Sequence, residues 1–197
     1  MIPLKNIMAA FALLFTAPIA LTPAAMAQGT NVVVIDRVKI FSTSQAGTDL
    51  RNKIAAIETQ MQGELKPTAD KLQADGTSLD AKSQGMTREA ILANPTLKAE
   101  VEQYARDVQA FNQARQIAAT ELQLTERDAL IKFNNALVPV LQQVVTETGA
   151  NVILDKSQIV FVDTATDVSD SVVTKLNAAT PSINVTRQKM PTQQPQQ

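Results

Sequence analysis

Five aspartates near the ends of the patterned part of the chain, Asp36, Asp155, Asp163, Asp167 and Asp170, are the residues best placed by type to do chemistry. Two carboxylates at a suitable separation hydrolyse glycosides. Each of these five, however, stands at a strand end or a helix start, where Asp commonly forms a turn or a cap. Asp163-x-x-x-Asp167-x-x-Asp170 lacks the alternating ligands and central Gly of a calcium loop. Lys156-Ser157 names a base and a nucleophile, but neighbours in a tight turn seldom meet as a pair. The chain has no His and no Cys. That removes the commonest general base, the commonest metal ligand, thiolate catalysis and disulfides. Its six Gly form no phosphate-cradling cluster. No catalytic, cofactor-binding or metal-binding residue is therefore assigned, and shape and surface must carry the function.

Of the 197 residues, 45% are apolar, 4% aromatic and 19% charged, and the net charge is −1. That balance offers no basic patch for nucleic acid. Lys5, an apolar run over 7–21 and the small-x-small Ala25-Met26-Ala27 read as a secretory signal peptide, residues 1–27, cleaved near Ala27. The run is shorter than the roughly 20 residues of a membrane span, and Pro18 interrupts it. The expectation is Sec-type export to the periplasm, with nothing embedded in a membrane.

Asn31–Asp36 reads as a buried strand, and Val38–Phe41 as its continuation or a turn. From about Ala46 to Lys82, Leu50, Ile54, Ile57, Met61, Leu65, Leu72 and Leu79 draw a narrow helical seam, with a bend expected at Pro67. A short helix capped by Thr87 follows, and Asn94-Pro95 opens a second long helix. Its seam reads Leu97, Val101, Tyr104, Val108, Phe111, Arg115, Ala118, Leu122, then Leu130, Phe133, Leu137, Leu141 and Val144, ending at Gly149. Asn151–Asp155 and Ile159–Val162 read as a β-hairpin, and Ser169 as a cap for a short last helix. After Pro181 the chain turns Gln/Pro-rich and reads as a disordered tail.

The fold class is thus α+β. A discontinuous β body, 28–48 and 140–180, carries a long antiparallel helical-hairpin arm, 49–139, with a tail over 181–197. A body of so few residues is too small for a good core alone, and oligomerisation is the usual remedy.

This order resembles the Skp/OmpH family of periplasmic chaperones. The residues that carry the likeness are Val32–Asp36, Ala46-Gly47, Thr148–Asp155, Ile159–Val162 and Asp167-Val-Ser169. The resemblance implies a homotrimer whose β pieces share a barrel-like body, and arms that enclose a cavity. The implied activity is ATP-independent holding of unfolded outer-membrane proteins. On that basis Val33, Ile35, Val152, Leu154, Val160 and Phe161 are expected in the oligomer core. Met61, Leu65, Leu72, Leu79 and Met86 are expected to face clients, since Met suits surfaces that bind many sequences. The arm departs from the family's basic character. Residues 49–134 hold 11 Lys/Arg against 13 Asp/Glu, with no basic cluster to bind lipopolysaccharide. The alternative function is an exported adaptor coiled coil that binds one folded partner.

Overall fold

The computed structural model describes residues 29–190. The segment read as a signal peptide, 1–27, and the last Gln/Pro residues, 191–197, lie outside the described residues. Strand β1, Val32–Ile35, leads directly into helix α1, Arg37–Thr43. The turn or strand extension expected at Val38–Phe41 is therefore a helix. Asp36 causes it: its carboxylate caps the first turn by accepting the Lys39 N–H at 2.8 Å. Ser44 ends α1 and caps α2, Gln45–Ser83, by accepting the Gly47 N–H at 3.1 Å. Thr87 caps α3, Arg88–Ala93, and Asn94 caps α4, Pro95–Thr148, with Pro95 in the first turn as expected. Gly149 closes α4 in the left-handed conformation at φ 65°. Strand β2, Val152–Asp155, and helix α5, Ser169–Ala179, complete the chain's regular elements.

At 1.5 Å per residue, α2 (39 residues) is about 58 Å long and α4 (54 residues) about 80 Å. They run antiparallel. The Gly76 backbone lies against the Tyr104 hydroxyl, and nearer the tip Lys82 bridges to Glu100 at 2.7 Å. Pro67 and Pro139 both sit within continuous helices.

β1 and β2 pair in parallel, with Val32 opposite Val152 and Ile35 opposite Asp155. The other edge of β1 is taken by an isolated bridge from Val34 to Asp167. The expected hairpin does not form. Lys156–Gln158 is a 3-10 turn, and 159–162 have no strand structure. The edge of β2 that a hairpin would use has no strand partner among the described residues.

The core gathers where α1, the roots of α2 and α4, and α5 meet beside β1. Ile40, Leu50, Phe133, Val144, Val172 and Leu176 are all buried there. It reaches further along the arm than the 49 and 139 boundaries expected from sequence. The tail is also corrected. Residues 181–190 lie along the arm, and Ile183 belongs to the core cluster. Ser169 does not cap α5. Its hydroxyl instead donates to Asp167 and accepts the Asp36 N–H at 2.8 Å, which ties β1 to the start of α5.

Two contrasts test this packing. A Cβ at Gly47 would lie 1.9 Å from the Phe41 carbonyl oxygen, whereas one at Gly63 meets nothing within 4 Å. Gly47→Ala should therefore cost about 3 kcal/mol in urea unfolding, while Gly63→Ala should stabilise by up to about 1 kcal/mol. For Asp167, burial opposes the charge, but the Ser169 hydroxyl, the Lys156 ammonium and the Ser169 N–H outweigh it and hold the carboxyl down at about 2. The lowered value stabilises the fold above 3.8 and that stabilisation is lost as pH falls towards 2. Asp167→Asn should cost about 2 kcal/mol at neutral pH, and unfolding curves across this acid range should show the gap to the parent closing.

Candidate functional site

The five aspartates all have structural partners. Asp36 caps α1, Asp155 accepts from the Ser157 N–H and hydroxyl, and Asp163 accepts from the Ala165 N–H. Asp167 holds Ser169 and Lys156, and Asp170 pairs with Lys39 at 2.6 Å. Lys156 and Ser157 point to different aspartates rather than to each other. The surface of the arm is where the remaining chemistry lies.

The hairpin seam uses most of the residues expected to face clients. Met61 and Leu72 are buried, and Leu65 and Leu79 are half-buried in the same stripe. Only Met86, beside Gly85 at the tip, is exposed. The reason is periodicity: a 3-4 apolar spacing on each of two antiparallel helices packs those residues against each other. A shallow groove of about 360 Å³ remains beside Leu65 and Leu72, lined also by Phe111, Ala110 and Ala114.

On α4 the buried face also differs from the expected one. Val101, Arg115 and Leu130 are exposed, and Glu121, Thr125 and Ala129 take the inward positions. Arg115 lies over the Phe111 ring at 6.0 Å, with its head in water. Glu121 and Thr125 are polar, so an apolar pattern passes over them. Their partners, Arg187 and Gln188, lie in the segment read as a tail.

A second stripe faces outward. Ile117, Leu124, Ile131 and Val138 repeat every seven residues along α4, and they are 39, 38, 49 and 50% exposed. Single exposed apolar residues are ordinary, whereas an aligned row marks an interaction surface. Its heptad spacing is visible in the sequence, beside the more regular seam of the same helix. The arm's lysines are locally neutralised. Lys53, Lys66, Lys71, Lys98 and Lys132 each pair with a carboxylate four residues away, and Lys82 with Glu100.

The residues expected in an oligomer core divide in two. Val33 and Ile35 are buried within the chain and Val152 is half-buried. Leu154, Val160 and Phe161 are exposed, the last two almost completely. Among the described residues, no helix is long and apolar enough to cross a membrane.

The structure thus joins a small parallel-stranded body, a long helical arm and an exposed apolar row. The family model described as outer membrane protein (OmpH-like) matches residues 31–176, and the chain belongs to that family. Among solved structures, the chain is similar to a Caulobacter crescentus CB15 protein provisionally described as an OmpH-like outer membrane chaperone. The TM-score is 0.72 at 22% identity, over 84% of this chain and 94% of the other. No curated protein matches the chain in sequence.

Seam and surface residues are separable by stability. Met61→Ala should cost about 2–3 kcal/mol through the cavity it leaves. Met86→Ala should stay within about 0.5 kcal/mol of the parent in the same denaturation assay.

Proposed function

We propose that the protein is an ATP-independent holdase, exported to the periplasm by its signal peptide, that keeps unfolded outer-membrane proteins from aggregating. The observation that carries this reading is the exposed row Ile117, Leu124, Ile131 and Val138 along a long helix. Such a row makes many weak apolar contacts with a flexible chain, and their sum holds it without demanding one sequence. Holding of this kind uses no nucleotide.

The working form is a homotrimer. Two observations support it: β2 has one unpaired edge, and Val160 and Phe161 project almost fully into solvent beside it. An unpaired edge with apolar neighbours is a template for pairing with another chain. Three arms rising from a shared body would set their apolar rows around one client. The paired lysines favour apolar holding over long-range charge attraction, and they offer no cluster for lipopolysaccharide phosphates.

The test dilutes a porin from urea into buffer with the purified protein and follows light scattering. The parent should suppress aggregation near one trimer per client, and should do so for unrelated porins. The variant Leu124→Ser with Ile131→Ser should keep the parent's melting temperature and lose most of the suppression. Affinity should fall by less than about tenfold between low and physiological salt, where exposed charges are screened. Binding of one folded partner with indifference to unfolded porin would establish the adaptor reading instead.

A further inference from the structure

The segment after α5 lies beyond the residues matched by the family model, and it is held in an unusual way. Residues 181–190 have no helix or strand structure and run up the furrow between α2 and α4. Ser182 donates to Asp49, and five residues later Arg187 reaches Glu64. Those α2 positions are about 22 Å apart along the helix. Five residues span at most about 18 Å, so the strap is close to fully extended and side-chain reach closes the rest.

Its recognition is shared between side chains, Ser182, Arg187 and Gln188, and the backbone. The Ile183 N–H donates to Asp49 at 3.0 Å, and Lys53 donates to the Ile183 carbonyl at 2.7 Å. Lys132 donates to the Asn184 carbonyl at 3.1 Å. The Gln188 N–H donates to the Thr125 hydroxyl at 2.9 Å, and the Met190 N–H to Glu121 at 3.0 Å. Every polypeptide carries these backbone groups, so such contacts do not depend on the strap's own sequence. The side chains add a simple pattern. Ile183 is buried, Asn184 exposed, Val185 half-buried, Thr186 exposed and Arg187 half-buried. That is the period-two alternation of an extended chain with one face inward. Arg187 is the one charged anchor, set between Glu64 at 2.6 Å and Glu121 at 2.7 Å.

We propose that the furrow between α2 and α4 is a receptor for extended polypeptide, occupied in the free chain by residues 181–190, and that unfolded client segments of alternating apolar and polar residues displace this strap. The strands of transmembrane β-barrels have that alternation, so the furrow matches the chemistry of unfolded outer-membrane proteins. This inference rests on the holdase reading and adds a second surface to the apolar row. The part of the strap beyond Val185 is held by polar contacts and Arg187, without an apolar anchor in the core, and it peels first. Ile183 follows, because its place in the core can be taken by a client's apolar residue.

The test uses the full chain and two probes: a fluorescein-labelled synthetic peptide of residues 181–190, and a porin diluted from urea. Arg187→Glu places a third carboxylate against Glu64 and Glu121 and should free the strap. Both probes should then bind about tenfold or more tightly than they bind the parent, the scale set by losing charge-assisted hydrogen bonds in a competitor. In the parent, saturating porin should speed hydrogen exchange at the Ile183, Gln188 and Met190 amides. A gain below about tenfold in a folded variant overturns the proposal, and so does unchanged protection of those amides. If circular dichroism shows that Arg187→Glu has unfolded, hydrogen exchange in the parent decides alone. Porin held equally by parent and variant, with the amides still protected, removes the furrow and leaves the holdase standing. Porin held by neither removes the holdase reading, and the labelled peptide still reports on the furrow.

Discussion

Pairing Val32 with Val152 in parallel obliges the intervening chain to leave the sheet and return to the same end of it. In most folds a single helix makes that crossover. Here the crossover is the entire α2–α4 hairpin, so the arm is an insertion between two strands of four residues each. The register of those strands fixes where both helices begin and end. Asp36 caps α1 one residue after β1, and Gly149 ends α4 three residues before β2. Hydrogen bonds from the Asn31 side chain to the Thr148 carbonyl and from the Asp36 N–H to the Ser169 hydroxyl lock the same junction. A slip in register would displace every one of these caps.

The arm keeps an apolar seam only over part of its length. Near the root, Leu50, Ala129 and Phe133 merge into the body's core. Further out, α4 turns polar residues inward, and the furrow they line is filled by the strap. Buried polar groups are costly unless hydrogen-bonded, and Glu121 and Thr125 find their partners in Arg187, Gln188 and Met190. Seam and furrow are therefore one design. Beside the apolar residues of the seam, Met61 among them, hydrogen bonds hold the strap in the furrow.

The outward row on α4 and the paired lysines act together. Local ion pairs contribute little stability at an exposed surface. They do lower the arm's long-range field, because each lysine lies against a carboxylate. Val160 and Phe161, the most exposed of the large apolar residues, belong to the body rather than to the arm.

The long helices, most of their caps and the α2 seam were legible from local pattern, whereas α1 and the start of α5 were not. Ser44, Thr87, Asn94-Pro95 and Gly149 act through neighbours within four residues, and Met61, Leu65 and Leu72 follow a regular spacing. The likeness in Val32–Asp36 and Thr148–Asp155 also pointed to the right family. What tertiary structure decided were partnerships across long stretches of chain. Ile159–Val162 has strand-forming residues but pairs with no strand among the described residues. Glu121 and Thr125 look like surface residues until Arg187 and Gln188, more than 60 positions away, are laid on them. The Gln/Pro composition that marks a tail describes only its end, because the preceding residues are ordered by contacts with α2 and α4 that no local window contains. Local hydrogen bonding and periodicity are written in short segments, whereas burial of a polar or β-branched residue depends on what the rest of the chain brings to it.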